Sequence, residues 1–188
     1  MNAGPMTLGF EDATSYPMSR AWAGPHSETF SIPPIAAFVQ RWWRAPSIDP
    51  FARNSQLATY RNDLSPDTIA EYHMDAEAFC DLMAERGVRA QLLLFDPPYS
   101  PRQISEVYQS IGRTVTAQDT QNSVLYERVK RAADRLLVPG GIALSFGWNS
   151  AGFGKAFGYR TVEIMLVAHG GAHNDTICVA QRKGSGRL

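Results

Sequence analysis

Leu92-Leu93-Leu94-Phe95-Asp96-Pro97-Pro98-Tyr99 is the stretch on which the reading of this chain turns. A continuous apolar run of this kind reads as a strand buried on both faces. It stops at an acid and two prolines, which cannot donate to a sheet ladder, so the strand ends there. Pro97 and Pro98 then fix the backbone, holding Asp96 and Tyr99 rigidly at the strand's carboxyl end. In open parallel sheets, ligands bind in the crevice at that end. A carboxylate to grip an amino group, a proline carbonyl with no competing donor beside it and an aromatic face together suit the holding of a base.

Working upstream, short strands ending in an acid recur. Ser47 to Ala52 contains Asp49-Pro50-Phe51, Ala58 to Asp63 ends in Asp63, and Glu71 to Ala76 contains Met74-Asp75. Each is followed by a turn or helix, and the alternation argues an α/β fold with an open parallel sheet. An acid ending the second strand commonly takes ribose hydroxyls, which makes Asp63 a candidate. Ser65-Pro66-Asp67 has the cap and first-turn proline of a helix. Ala76 to Arg86 is amphipathic and is closed by Gly87. Ahead of the first acid, Pro33 and Pro34 open a helix running to Arg44, with Ile35, Phe38, Val39 and Trp42 on one face. Residues 1–28 have no periodicity and read as a loose arm or lid.

Downstream, Ser100 to Gln121 is a long polar loop carrying Arg102, placed to flank a substrate. Asn122 to Leu137 is an amphipathic helix. Pro139-Gly140-Gly141 turns the chain into a strand over Ile142 to Trp148. Asn149-Ser150-Ala151-Gly152-Phe153-Gly154-Lys155 is glycine-rich, but lacks the first glycine and the hydroxyl residue of a nucleoside-triphosphate loop. Asn149, Ser150 and Lys155 remain candidates for contacting a substrate backbone. Tyr159 to Ala168 and Thr176 to Gln181 are strands joined by the turn His169 to Asp175, an antiparallel pair by composition. If the first of them runs parallel to the central strands, that turn lies on the same side as Asp96. His173 and Asn174 would then face the substrate. Two histidines and an acid in a glycine turn are too few for a metal, and none is expected.

Asp96-Pro97-Pro98-Tyr99 resembles the Asp-Pro-Pro-Tyr signature of adenosylmethionine-dependent amino-methyltransferases, chiefly the DNA adenine-N6 methyltransferases, and most closely their small phage-associated members. The likeness spans about Phe30 to Lys183. It implies a Rossmann-like methyltransferase fold, with a mostly parallel seven-stranded sheet and an antiparallel C-terminal hairpin. Residues 29–188 would form a single domain with no separate target-recognition domain evident. S-adenosyl-L-methionine is the implied cofactor and DNA the implied partner. Asp96 and the Pro97 carbonyl would accept the amino hydrogens, Pro98 would hold the turn and Tyr99 would stack on the base. Phe30 and Pro33 would help enclose the methionine end of the cofactor. Asp49, Pro50, Phe51 and Asn54 would form its turn, Asp63 would take the ribose, and Met74 and Asp75 the adenine. Family members place a Gly-x-Gly turn where this chain has Arg53-Asn54-Ser55, and Asn54 is the residue there most tolerant of unusual dihedrals. Alternatives on the same fold are cytosine-N4 or RNA amino-methylation, or a catalytically weak nucleic-acid-binding module.

Composition narrows the partners. The chain has 188 residues, with 18 Lys plus Arg against 18 Asp plus Glu, so no global positive field draws it to nucleic acid. A DNA surface must be local or come from another subunit, which leaves room for a homodimer. Cys80 and Cys178 are far apart and read as buried, reduced thiols. With no signal pattern and no long apolar run, a cytoplasmic protein without membrane contact is expected.

Overall fold

The computed structural model describes residues 15–98, 122–171 and 173–185. The described chain forms a three-layer α/β/α arrangement around one seven-stranded sheet. The strands are β1 (Met18–Trp22), β2 (Ser47–Asp49), β3 (Tyr60–Arg61), β4 (Ala90–Phe95), β5 (Leu137–Gly147), β6 (Tyr159–Ala168) and β7 (Thr176–Lys183). Their order across the sheet is β1-β6-β7-β5-β4-β2-β3. Only β7 runs against its neighbours, pairing antiparallel with both β5 and β6. This is the expected mostly parallel sheet with its antiparallel C-terminal hairpin, a Rossmann-like methyltransferase fold.

β4 behaves as its sequence dictates. Leu92, Leu93 and Leu94 have no exposed surface. Leu93 and Phe95 face one side, where helices α2 (Ala76–Glu85) and α3 (Asn122–Asp134) supply Phe79, Cys80, Met83, Val129 and Ala133. Leu92 and Leu94 face the other side, against Ile35, Phe38 and Val39 of α1 (Pro33–Trp42). Pro33 and Pro34 occupy the first turn of α1, where missing N–H groups cost little. The far end of α1 is tied to β6, where Glu163 accepts from Arg41 at 2.6 Å and from Trp42 Nε1 at 2.7 Å. Cys80 and Cys178 are free thiols in the interior.

Four expectations need correction. The seventh strand is β1, within the stretch read as a loose arm, and it pairs parallel with β6 from Met18↔Ile164 to Trp22↔Ala168. The strand expected over Glu71 to Ala76 shrinks to a single bridge, Asn62↔Tyr72. No helix follows Ser65; its Oγ accepts from Asp67 N–H and its carbonyl accepts from Thr68 Oγ1, a local turn that competes with helix. Pro139-Gly140-Gly141 lies inside β5, in an irregularity where pairing jumps from Ala90↔Leu137 to Leu92↔Ile142.

Candidate active site

The site is built at the carboxyl ends of β4 and β2, and closed by a segment from upstream of α1. A cleft of about 300 Å³ opens there, with Asp96, Phe51, Arg53, Glu28 and Thr29 among its walls. At the end of β4, Pro97 is buried and Pro98 half-buried, so the turn that carries Asp96 is packed in place. Burial, foremost, pushes the Asp96 carboxyl up to about 6; a hydrogen bond from the Thr29 hydroxyl and the Arg53 charge hold it down, while Glu28 pushes it further up. Asp96 is therefore an acid that titrates just below neutrality. Tyr99 and Arg102 lie outside the described residues.

At the end of β2, Asp49 is wholly buried. Its Oδ1 accepts from Phe51 N–H at 3.0 Å, and its Oδ2 has no hydrogen-bond partner among the described residues. Burial raises its pKa well above the ordinary 3.8; the Phe51 N–H opposes this, and nearby Asp96 and Asp63 add to it. Pro50, also buried, follows, and the Phe51 ring stands edge-on to Phe95, centroids 5.4 Å apart. The turn beyond departs from expectation in detail. Arg53, not Asn54, takes the left-handed conformation, with φ 47°. Asn54 instead bridges two segments: its Nδ2 donates to Glu28 Oε1 at 3.4 Å and its Oδ1 accepts from Ile69 N–H at 3.2 Å.

The two further acids are drawn into backbone. Asp63 Oδ2 accepts from Arg53 N–H at 3.0 Å and Oδ1 from Ser65 N–H at 2.9 Å. Asp75 caps α2, its Oδ1 accepting from Glu77 N–H at 2.9 Å and Ala78 N–H at 3.3 Å. Asp63, Met74 and Asp75 do not line the cleft, nor does Pro33; Phe30 does, and its ring meets Phe146 edge-on at 5.0 Å.

Asn62 is the residue that sequence reasoning passed over. It is fully buried, donates through Nδ2 to the carbonyls of Pro50 (3.1 Å) and Met74 (2.9 Å), and accepts from Met74 N–H (3.1 Å). One amide thus fastens the ends of β2, β3 and the segment before α2. Its only sequence signal is a polar residue just before Asp63, inside a run otherwise read for its terminal acid. Glu28 and Thr29 were missed because they fall where the arm was expected to end.

Among substrate candidates, Asn149 and Ser150 follow the carboxyl end of β5, and Asn149 Oδ1 accepts from Ala151 N–H at 3.0 Å. His173 and Asn174 are exposed in the turn between β6 and β7. The geometry puts that turn on the Asp96 side of the sheet, because β6 is antiparallel to β7 and so parallel to β5. Lys155 does not join them. It precedes the first residue of β6, at the opposite end of a ten-residue strand. That puts it roughly 30 Å from the β6–β7 turn at the rise of a β-strand, and Lys155 is not among the walls of the cleft.

Among the described residues no group of three or more His, Cys, Asp or Glu could hold a metal, and no helix is long and apolar enough to cross a membrane.

No protein-family model and no curated protein matches the chain. Solved structures do. TrmN from Thermus thermophilus superposes with a TM-score of 0.51 at 18% identity, covering 81% of this chain and 49% of that one. NSun6 from Pyrococcus horikoshii, solved with SFG, gives 0.48 at 13% identity, over 75% of this chain and 48% of that one. At such identities the likeness to TrmN speaks for the fold. This chain spans about half the length of the structures it matches.

Proposed function

We propose that the cleft holds S-adenosylmethionine and that the chain methylates the N6 amino group of an unpaired adenine in DNA. The observation that carries this reading is Asp96, at the carboxyl end of β4 and in the wall of a cleft beside Arg53 and Glu28. A cleft of about 300 Å³ with an aromatic wall and charges of both signs suits a zwitterionic nucleoside cofactor. The buried Oδ2 of Asp49, without a hydrogen-bond partner among the described residues, adds polar capacity beneath the same turn.

When bound, S-adenosylmethionine supplies an electrophilic methyl group, and its sulfur takes back the C–S bonding pair as that group leaves. The exocyclic amine is a poor nucleophile because its lone pair is conjugated into the ring. Asp96 and the Pro97 carbonyl accept its two hydrogens, draw the nitrogen toward tetrahedral geometry and stabilise the charge that develops there. Alignment of the amine against the methyl group supplies much of the remaining acceleration. The proton that the nitrogen then carries in excess passes to Asp96, which is ionised above about pH 6 and able to take it. Duplex DNA hides this amine, so the base must be flipped out or already unpaired.

The test is incubation of the chain with methyl-labelled cofactor and a mixture of single- and double-stranded DNA and RNA, followed by nucleoside analysis. Label in N6-methyladenine of DNA is the expected result. Label confined to N4-methylcytosine or to RNA would move the substrate assignment while leaving the chemistry at Asp96 in place. No transfer to any nucleic acid would overturn it.

A further inference from the structure

The turn after β2 holds a cation where a backbone with no side chain would serve the resemblance better. Arg53 has φ 47°, a conformation that non-glycine residues adopt at a cost. Such outliers persist where surrounding structure holds them, and cluster at ligand sites. The surroundings here do hold it. Its N–H is bound by Asp63 Oδ2 at 3.0 Å, its Nη1 donates to the Ser27 carbonyl at 2.6 Å, and its Nη2 stands 3.6 Å from Glu28 Oε1.

The guanidinium keeps donors to spare. An arginine offers five N–H groups in a rigid fork, suited to gripping a carboxylate with two parallel bonds. The side chain is half-exposed and lines the same cleft as Asp96 and Glu28. A wall with one guanidinium and two carboxylates is complementary to an α-amino acid, which carries a carboxylate and an ammonium on one carbon. A ligand with only the ammonium would match Glu28 and Asp96 and leave Arg53 without an anion.

Resting on the cofactor reading above, we infer that Arg53 is the anchor for the α-carboxylate of the cofactor's methionine end, with Glu28 facing its ammonium. The segment Ser27 to Thr29, fastened by Arg53 and Asn54, is then the wall that brings the second charge into place. A charged grip would thus stand in this turn where the resemblance implies a glycine and close backbone approach.

Calorimetry on the full chain tests this with two ligands, S-adenosylmethionine and its decarboxylated analogue, against wild type, Arg53→Gly and Arg53→Lys. Arg53→Gly relieves the positive φ while giving up the side chain's bond to Ser27 and its ion pair with Glu28, so the fold is kept and the melting temperature should stay within a few degrees of wild type. It should weaken S-adenosylmethionine binding about tenfold or more, the scale of a lost charge-assisted hydrogen bond. Binding of the decarboxylated analogue should fall by clearly less, because Asn54 still holds Glu28 when Arg53 no longer does. Arg53→Lys, which keeps the charge without the fork, should fall between. Arg53→Gly binding S-adenosylmethionine as tightly as wild type, or losing both ligands equally, overturns the assignment alone. A wild-type chain that binds neither ligand overturns the cofactor reading, and this assignment with it.

Discussion

At the end of β4, Asp96 lines a cleft and takes a hydrogen bond from the Thr29 hydroxyl. Just past the end of β3, Asp63 gives both oxygens to backbone, one to Arg53 N–H and one to Ser65 N–H. Both are aspartates after a short strand of the same parallel sheet, on the same side of it. Two prolines after Asp96 remove two N–H groups from its reach and leave it facing the cleft. Asp63 is followed by a turn whose Ser65 N–H folds back onto it, and Arg53 N–H from the turn after β2 takes its other oxygen. An acid at a strand end keeps a face toward the cleft where the two residues after it carry no N–H to donate. Asp75, claimed by the first turn of α2, makes the same point a second time.

Predictions follow from sharpening that contrast. The largest expected structural effect is at Asn62, where Asn62→Ala strands the Pro50 and Met74 carbonyls and the Met74 N–H in the interior. Denaturant unfolding should show a loss of about 3 kcal/mol. Because the same amide fastens the turn that carries Arg53, cofactor affinity should fall with it.

Next comes pH. Asp96 must be ionised to accept amino hydrogens, and its carboxyl titrates near about 6. The pH profile of kcat/KM should therefore fall about tenfold per unit below that value and flatten above it. Stability should move the other way. A folded-state pKa raised above 3.8 makes this group's contribution largest below 3.8, declining as pH rises through about 6. Unfolding measured across that range should show the decline in wild type and lose part of it in Asp96→Asn. A stability curve identical in the two proteins would contradict the placement of Asp96.

The smallest effect belongs to Asp75. Loss of its cap in Asp75→Ala should cost about 1 kcal/mol of stability. Cofactor affinity should stay within about threefold, far below the scale of a lost charged contact. A larger loss of affinity would restore this residue to the cofactor site and break the contrast with Asp96.

The elements that proved legible in sequence carry their evidence locally. The apolar run of β4 with its proline stop, the spaced faces of α1 and α2, and the glycine turn before β7 all rest on patterns within about ten residues. What was missed depends on distant partners or on local competition. β1 is largely exposed, with Met18 and Trp22 each 73% exposed, so it has no buried face to impose a period. Its pairing depends on β6, far along the chain. The helix after Ser65 failed because the bond that would open it is diverted: Ile69 N–H donates to Asn54 Oδ1, and the Ser65 carbonyl accepts from Thr68 Oγ1 instead. At the site, the motif located Asp96 but could not show that Asp63 and Asp75 would be used as ties. Nor could it bring Glu28 and Thr29 to face it from before α1.

One measurement bears most directly on the role of Asp96: methyl transfer and cofactor binding determined side by side for wild type and Asp96→Ala. Transfer to the methylated nucleic acid should fall by about a hundredfold or more, as when a donor or acceptor at the reacting atom is removed. Cofactor affinity by calorimetry should stay within about tenfold, since the ammonium keeps Glu28 and the carboxylate keeps Arg53. Equal transfer by the variant and the wild type would contradict the account.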